Sequence, residues 1–196
     1  MTNDRFLLPS GDTKRSFVSR AGNKLEAAIV TFNIPVEGRT CADLGANVGG
    51  FTDCLLQHGA AKVFAVDTAY GVLAWTLRKD PRVVVKERAN AMHVRLPEPV
   101  DLVSVDVGWT RQNKILPVVK GLLKPGGDVL TLIKPHYESE AARTQRGVLE
   151  AGQSEEVLWQ VIEQIRQTGW QVRGVVKSPI EGQKGNTEFV AWLTAS

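Results

Sequence analysis

Four polar residues that lie far apart along the chain have side chains able to hold or move a proton. Lys24 falls in a predicted helix, Asp106 and Lys134 each end an apolar, strand-like run, and Glu188 opens the last such run. A lysine that is partly desolvated beside a second cation gives up its proton more readily, and its neutral amine can then act as a base. Two lysines with two carboxylates are therefore suited to taking a proton from a weakly acidic group, such as a hydroxyl, during a group transfer.

A glycine-rich turn between Ala42 and Thr52 follows the first strand-like run and has the features of a ligand-binding loop. Its glycines let the chain turn sharply and let the backbone approach a ligand closely. Asn47 stands where the dinucleotide fingerprint G-x-G-x-x-G needs its second glycine, and Asp43 would repel a pyrophosphate but suits a sulfonium or an amino group. The turn therefore indicates a cofactor with a sulfonium or amino group, such as S-adenosylmethionine, and points away from NAD. The cofactor-binding residues predicted here are Asp43, Gly45, Asn47, Gly49, Gly50 and Phe51.

Polar residues also follow the next strand-like runs. Asp67 ends the second run, where a carboxylate can accept hydrogen bonds from both ribose hydroxyls of an adenosine ligand. Asn90 and Ala91 follow the third run, where a carboxamide and a backbone amide can contact an adenine edge. Open α/β sheets bind ligands at the carboxyl ends of their strands, so these residues and Asp106 complete the predicted cofactor site. Structural roles remain open, with Asp67 as a solvated acid and Asn90 as a helix cap.

The elements that must position these residues alternate between strands and helices. Strands are predicted at 40–44, 62–67, 82–87, 101–106 and 127–133. Helices are predicted at 19–31, 49–58, 72–79, 112–123 and 154–168. The last helix is predicted to begin at a Ser154 cap and to stop at Gly169. Such alternation predicts a Rossmann-like α/β sheet that is doubly wound and mostly parallel, with helices on both faces.

The end of the chain departs from this alternation. Strand-like runs at 171–177 and 187–194 are separated by a loop too short for a crossover helix. They are therefore predicted to pair as an antiparallel hairpin. A parallel sheet finished by such a hairpin resembles the architecture of class I methyltransferases, whereas the usual dinucleotide-binding domain ends differently.

Length and composition indicate one globular domain. The chain has 196 residues, of which 43% are hydrophobic, and this is enough for a substantial core. We predict a flexible arm over 1–16 and a methyltransferase domain over 17–196. Cys41 and Cys54 fit neither a zinc motif nor a disulfide framework, and no metal site is predicted. Apolar stretches fall far below the roughly 20 residues that span a bilayer, and the start lacks a secretory layout. These features predict a cytoplasmic protein with no membrane partner.

Some features leave two interpretations open. A net charge of +3 is compatible with a polyanionic partner but does not demand one. The first 24 residues hold five cations, which suit an RNA-binding arm and a solvated surface about equally well. Trp109 could stack on an unpaired base or pack in the core, and His136 could touch substrate or be a packed histidine.

Taken in order, Lys24, Asp106, Lys134 and Glu188 resemble the catalytic tetrad of the FtsJ (RrmJ) family of ribose 2′-O-methyltransferases. The local sequence motifs are more similar still to those of its TlyA-like branch, also called hemolysin-like. This resemblance extends from about residue 17 to residue 193. The segments that carry this resemblance are 19–25 (SRAGNKL), 49–52 (GGFT), 77–83 (LRKDPRV), 134–138 (KPHYE) and 178–188 (SPIEGQKGNTE).

The resemblance implies an S-adenosylmethionine-dependent enzyme that methylates ribose 2′-hydroxyls of cytidines in ribosomal RNA. Within it, our hypothesis makes Lys134 the base, activated by Lys24. Asp106 would orient Lys134, and Glu188 would position Lys24 or the ribose. Two departures bear on the RNA substrate. This chain has no room for the small RNA-binding domain that usually precedes the core, and Val-Gly-Trp follows Asp106 where the branch usually has Val-Ser-Phe.

Other function classes fit less well. A nicotinamide-dependent oxidoreductase lacks support because of Asn47 and the terminal hairpin. Amino-group methyltransferases usually place Asn or Asp before Pro-Pro-aromatic at the fourth strand, which the residues after Asp106 do not match. The remaining alternative is a non-catalytic factor that binds the cofactor or RNA during ribosome assembly.

Overall fold

The computed structural model describes residues 5–10, 15–139, 148–149 and 151–195. The strands in this part of the chain are Thr40–Leu44 (β1), Lys62–Val66 (β2), Val83–Lys86 (β3), Val100–Val105 (β4), Leu123–Ile133 (β5), Trp170–Lys177 (β6) and Phe189–Ala195 (β7). The α-helices are Ala21–Phe32 (α1), Gly50–Gln57 (α2), Trp75–Arg78 (α3), Gln112–Lys120 (α4), Pro135–Glu138 (α5) and Ala151–Gln167 (α6).

All seven strands form one sheet, in the order β3-β2-β1-β4-β5-β7-β6. The first five strands pair in parallel, whereas β7 is antiparallel to both β5 and β6. The predicted fold class, a mostly parallel sheet finished by an antiparallel hairpin, is therefore confirmed. Because β7 lies between β5 and β6, the last strand in sequence is an interior strand of the sheet.

Helices cover both faces of the sheet. One face packs against α4 and α6, through residues such as Ile115 and Leu158. The other face packs against α1 and α2, through residues such as Leu25 and Leu55. All four side chains are fully buried. The strands supply side chains to both faces, as the alternation of side chains along a strand requires.

Helix ends differ most from the sequence predictions. The predicted cap at Ser154 is wrong, because α6 already includes Ala151 and Ser154 lies buried within it. The third helix is shorter than predicted, at four residues. In contrast β5 is longer than predicted, because Leu123 pairs with Val100 ahead of an irregularity in the ladder. The short helix α5 was not predicted.

Part of the predicted arm over 1–16 lies outside the described residues. Within the part described, Leu7 makes a parallel bridge to Val176 on the outer edge of β6. Its N–H donates to the Val175 carbonyl at 2.7 Å, and its carbonyl accepts from the Lys177 N–H at 2.9 Å. This short segment is therefore docked on the sheet. Among the residues described, no helix has the length and apolar character that crossing a membrane requires.

Candidate active site

The sheet topology brings the predicted catalytic residues to one edge. Asp106 and Lys134 directly follow the parallel strands β4 and β5, so they lie at the same end of the sheet. The antiparallel strand β7 begins at that end, and Ile133 pairs with Phe189. Lys134 and Glu188, the next residues outward, are consequently neighbours in space. The fourth residue, Lys24, comes from α1.

The four side chains form two ion pairs. The Lys24 ammonium contacts the Glu188 carboxylate, and both side chains are at least 90% buried. Lys134 Nζ lies 2.6 Å from Asp106 Oδ1, with both side chains largely buried. The same Nζ donates to the Val107 carbonyl at 3.4 Å. All four predicted catalytic residues line one cavity of about 380 Å³.

A second cavity, of about 410 Å³, holds the predicted adenosine-binding residues Asp67, Asn90 and Ala91. The residues common to both cavities are Gly45, Asn47, Asp106 and Gly108. Because they share these walls, the cavities adjoin along the glycine-rich turn and can hold one elongated ligand. Their sizes are in the range of small-molecule sites, about 300–1,000 Å³.

The hydrogen bonds of the second cavity leave groups available to a nucleoside. Asp67 accepts the backbone N–H of Asn47 and of Ala69, each at 2.8 Å, one on each carboxylate oxygen. Each oxygen retains a lone pair for a ribose hydroxyl. Asn90 accepts the Met92 N–H at 2.9 Å through Oδ1, which leaves its amide N–H groups as donors. This contact also fits the structural interpretation of Asn90 as a local cap.

The glycines of the turn have different roles. Gly45 has a φ of +89°, and a Cβ there would lie 2.4 Å from the Asp106 carbonyl oxygen, so only glycine lets this turn approach β4. Gly49 lines neither cavity, and a Cβ on it would meet the Leu77 side chain at 2.2 Å. Gly50 and Phe51 line the first cavity. Gly49 therefore serves the packing of the turn rather than the cavity surface.

Asp43 lies beneath the turn and lines neither cavity. It is fully buried, and its two oxygens accept the hydroxyl groups of Thr52 at 2.7 Å and Ser104 at 3.0 Å. Burial raises the pKa of this carboxyl to about 7, although the two hydroxyl hydrogen bonds oppose the shift. Asp43 was predicted to contact the cofactor, but the structure places it under the loop instead. There its hydrogen bonds link β1 to α2 and to β4.

Three side chains around Lys134 extend the site beyond the predicted tetrad. His136 is buried, lines the first cavity, and its Nδ1 has no hydrogen-bond partner among the described residues. Burial, followed by the charges of Lys134 and Lys24, lowers the His136 pKa to about 4, so the ring is neutral near pH 7. Tyr137, which the sequence did not single out, places its ring centroid 5.3 Å from Lys134 Nζ and stacks on Trp109.

A separate polar cluster joins α1 to α2. Ligand-type atoms of Glu26, Cys54 and His58 lie within 4.8 Å of one another, a grouping that sequence spacing did not reveal. Arg15 places a guanidinium nitrogen 2.6 Å from His58 Nε2 and 3.5 Å from Glu26 Oε1. The carboxylate therefore already has a cationic partner. Burial, with the charge of Glu26, raises the pKa of the Cys54 thiol, which favours its protonated form.

Comparisons with known proteins agree with this geometry. Residues 17–195 match the FtsJ-like methyltransferase family. The 16S/23S rRNA (cytidine-2′-O)-methyltransferase TlyA of Mycobacterium tuberculosis is 40% identical over 188 residues, 93% of this chain and 70% of that protein. Hemolysin A of Brachyspira hyodysenteriae is 40% identical over 89% of this chain and 75% of its own length. A Streptococcus thermophilus structure described as a hemolysin superposes with a TM-score of 0.88 at 38% identity, covering 95% of this chain and 70% of that one.

Proposed function

The chain belongs to the FtsJ-like methyltransferase family, and on this premise we propose that it transfers a methyl group from S-adenosylmethionine to a ribose 2′-hydroxyl of ribosomal RNA. The observation that carries the proposal is that two lysine–carboxylate pairs meet in the first cavity, which adjoins the second, nucleoside-sized cavity. The family resemblance derived from the sequence is confirmed by the match over residues 17–195.

The two adjoining cavities fit the cofactor by the chemistry of their walls. Asp67 would hold the ribose hydroxyls through its carboxylate oxygens, and Asn90 and the backbone of Ala91 would contact the base. Asp106, on the wall that the two cavities share, would place a carboxylate near the positively charged sulfur of the cofactor. When bound, S-adenosylmethionine supplies a methyl group made electrophilic by its attachment to that sulfur.

In this mechanism Lys134 is the residue that removes the proton from the ribose hydroxyl. Its amine is fixed by Asp106 and the Val107 carbonyl, and in its neutral form it accepts the hydroxyl proton as the oxygen becomes nucleophilic. Asp106 then stabilises the resulting ammonium. Lys24, held by Glu188, places a second cation in the cavity, which stabilises negative charge developing on that oxygen.

The relatives support RNA as the methyl acceptor, since the Mycobacterium tuberculosis protein is named for cytidine 2′-O-methylation of ribosomal RNA. In this chain Arg20 is exposed and lines the first cavity, where its guanidinium can contact a phosphate of the acceptor. A nucleotide whose 2′-hydroxyl reaches Lys134 would bring its flanking phosphates near the Arg20 guanidinium, since both residues line the first cavity.

The decisive experiment measures transfer of labelled methyl from S-adenosylmethionine to ribosomal subunits that lack the modification, followed by nucleoside analysis for 2′-O-methylribose. We expect Lys134→Met to reduce transfer by about 100-fold or more, the contribution of a general base, with the cofactor Kd unchanged. Lys62→Met is the matched control, because Lys62 pairs with Glu98 outside both cavities.

Three results would count against the proposal. Undiminished transfer by Lys134→Met would exclude Lys134 as the base. A label found on a nucleobase would assign a different reaction to the same cavities. Cofactor binding by the wild type without transfer to any ribosomal substrate would favour the non-catalytic assembly factor.

A further inference from the structure

The polar cluster of Glu26, Cys54 and His58 contains a pair of contacts that protons alone do not satisfy. His58 Nε2 contacts the Glu26 carboxylate and also lies 2.6 Å from Arg15 Nη1. A ring nitrogen that carries a proton can donate to the carboxylate but cannot accept from the guanidinium. Without the proton it accepts from the guanidinium but faces the lone pairs of the carboxylate. One of the two contacts is therefore unfavourable in either state of the ring.

A metal ion removes this conflict, because it accepts lone pairs from an imidazole, a carboxylate and a sulfur at the same time. Glu26 Oε2 lies 3.6 Å from Cys54 Sγ. Zn–S bonds of about 2.3 Å and Zn–O bonds of about 2.0 Å, at a tetrahedral angle, place two such ligand atoms about 3.5 Å apart. His58 Nε2 lies within 4.8 Å of both atoms. The spacing is thus that of ligands around one small ion.

The three side chains come from two helices that pack against each other. Cys54 lies on α2 and His58 caps the end of that helix, four residues later, so both side chains lie on one face. Glu26 is on α1. Glu26 and Cys54 are buried, whereas the His58 side chain is 16% exposed. The cluster lines neither of the two cavities, so it is separate from the catalytic site and is reached from the surface beside His58.

We propose that Glu26, Cys54 and His58 form a binding site for a divalent transition-metal ion such as Zn²⁺. A mixed set of sulfur, nitrogen and oxygen donors suits this ion, with a water molecule as the fourth ligand. The ion displaces the proton of the Cys54 thiol into solvent. A thiolate and a carboxylate then balance its two positive charges, which makes the buried site neutral.

Arg15 supplies the positive charge at this position in the structure. Its Nη1 lies 3.5 Å from Glu26 Oε1 as well as beside His58, and its side chain is 43% exposed. The guanidinium can therefore move into solvent when an ion enters. The segment that follows stays attached to α2, because the Val18 N–H donates to the Asp53 carboxylate at 2.8 Å. Metal binding thus exchanges one cation for another and leaves the helix packing in place.

The test uses the untagged full chain with Co²⁺ and Zn²⁺ as probes, without RNA or S-adenosylmethionine. Co²⁺ should give a sulfur-to-cobalt charge-transfer band that Zn²⁺ removes by competition. Cys54→Ser should abolish the band. His58→Gln should raise the Kd for Zn²⁺ at least about 100-fold, because partners outside the ligand shell already change affinity by about 10–100-fold. His93→Gln is the matched control and should bind as the wild type does, since His93 is exposed and lies outside the cluster.

Arg15→Ala distinguishes a metal site from a cluster held only by ion pairs. The substitution removes the competing cation, so the Kd for Zn²⁺ should fall about fivefold, the equilibrium cost of breaking a partly exposed ion pair. Unchanged or weaker binding in Arg15→Ala would overturn the site, as would a wild type that gives no charge-transfer band. A band that persists in Cys54→Ser would also overturn it, because the ion would then be bound elsewhere. These readouts do not involve methyl transfer, so their failure leaves the proposed function intact.

Discussion

Asp43 shows how one buried side chain can link the ligand-binding turn to the stability of the sheet. It accepts hydroxyl hydrogen bonds from Thr52 on α2 and Ser104 on β4. Among the described residues, the charge that acts on it is that of another acid, Asp106. A carboxyl in such surroundings is stable mainly in its protonated form, because burial penalises the charge. Its pKa of about 7 places the change of charge within the physiological range.

We predict that stability falls as the pH rises from about 4 to about 7. In this window the folded protein keeps a proton on Asp43 that the unfolded chain has already released, because the folded pKa of about 7 exceeds the ordinary value of 3.8. The free energy of unfolding therefore decreases with pH, by up to about 4 kcal/mol, and levels off above pH 7. Urea unfolding at a series of pH values measures the slope.

Asp43→Asn stays neutral and can bond to the same two hydroxyls, so it should flatten the profile between pH 4 and 7. Asp53→Asn on α2 is the control and should leave the slope in place. An equal slope in wild type and Asp43→Asn would show that the carboxyl is not the source.

At the scale of elements, apolar patterning was enough to place the strands. The strand predicted at 40–44 has the same bounds as β1. Its apolar side chains are buried on both faces of the sheet, and such a short apolar run is easy to identify in the sequence. Helix ends were harder, since a cap signature such as Ser154 says nothing about how far a helix extends upstream. The four residues of α5 are too few for a periodic pattern, and Tyr137 was overlooked for that reason.

Some site residues could likewise be placed from the sequence, and others could not. Asp106 and Lys134 could be placed from the sequence because parallel strands end at one edge. For Glu188 the sequence left two roles open, positioning Lys24 or positioning the ribose. The contact with Lys24 depends on the insertion of β7 beside β5, which the strand pattern does not show. The burial of Asp43 was missed because the sequence shows which residue precedes a turn but not which side chains close over it.

In the loop before β7, the close packing of Gly182 predicts that adding a single side-chain methyl group there lowers catalysis. A Cβ on Gly182 would lie 2.1 Å from Glu188 Oε1, in a position where both residues are buried. Gly182→Ala should therefore displace the Glu188 carboxylate from Lys24 and reduce methyl transfer about tenfold. This loss corresponds to roughly 1.4 kcal/mol. Steady-state turnover at saturating cofactor is the measurement.

Gly152→Ala is the matched control, since a Cβ there meets nothing within 4 Å and alanine favours the helix. It should leave turnover unchanged. If Gly182→Ala has wild-type turnover, the position of Glu188 is not important for the reaction.

At the scale of the whole molecule, the docked segment around Leu7 protects an edge of the sheet. It satisfies backbone groups of β6 at Val175 and Lys177, and the Phe6 ring packs edge-on against Phe189 at 5.2 Å. Uncovered edge strands offer unpaired N–H and C=O groups to other chains. The segment thus occupies part of a surface at which a second molecule could add a strand.

Removal of residues 1–8 is therefore predicted to cause concentration-dependent self-association and a lower Tm. Leu7→Pro tests the same idea more gently, because the segment stays in the chain while the N–H that donates to the Val175 carbonyl is lost. Sedimentation velocity over a range of protein concentrations detects the effect. A truncated protein that stays monomeric with an unchanged Tm would show that the segment does not protect this edge.

The interior position of β7 also means that the active site can be completed only after the end of the chain has been synthesised and has left the ribosome. The chain through Lys177 already contains β6, yet its neighbour in the sheet, and the acid that pairs with Lys24, are still to be made. At about 5–20 residues per second, the next 18 residues take roughly 1–4 s. During that interval β5 has an open side, and the nascent protein holds its cofactor loop and both lysines without a complete active site.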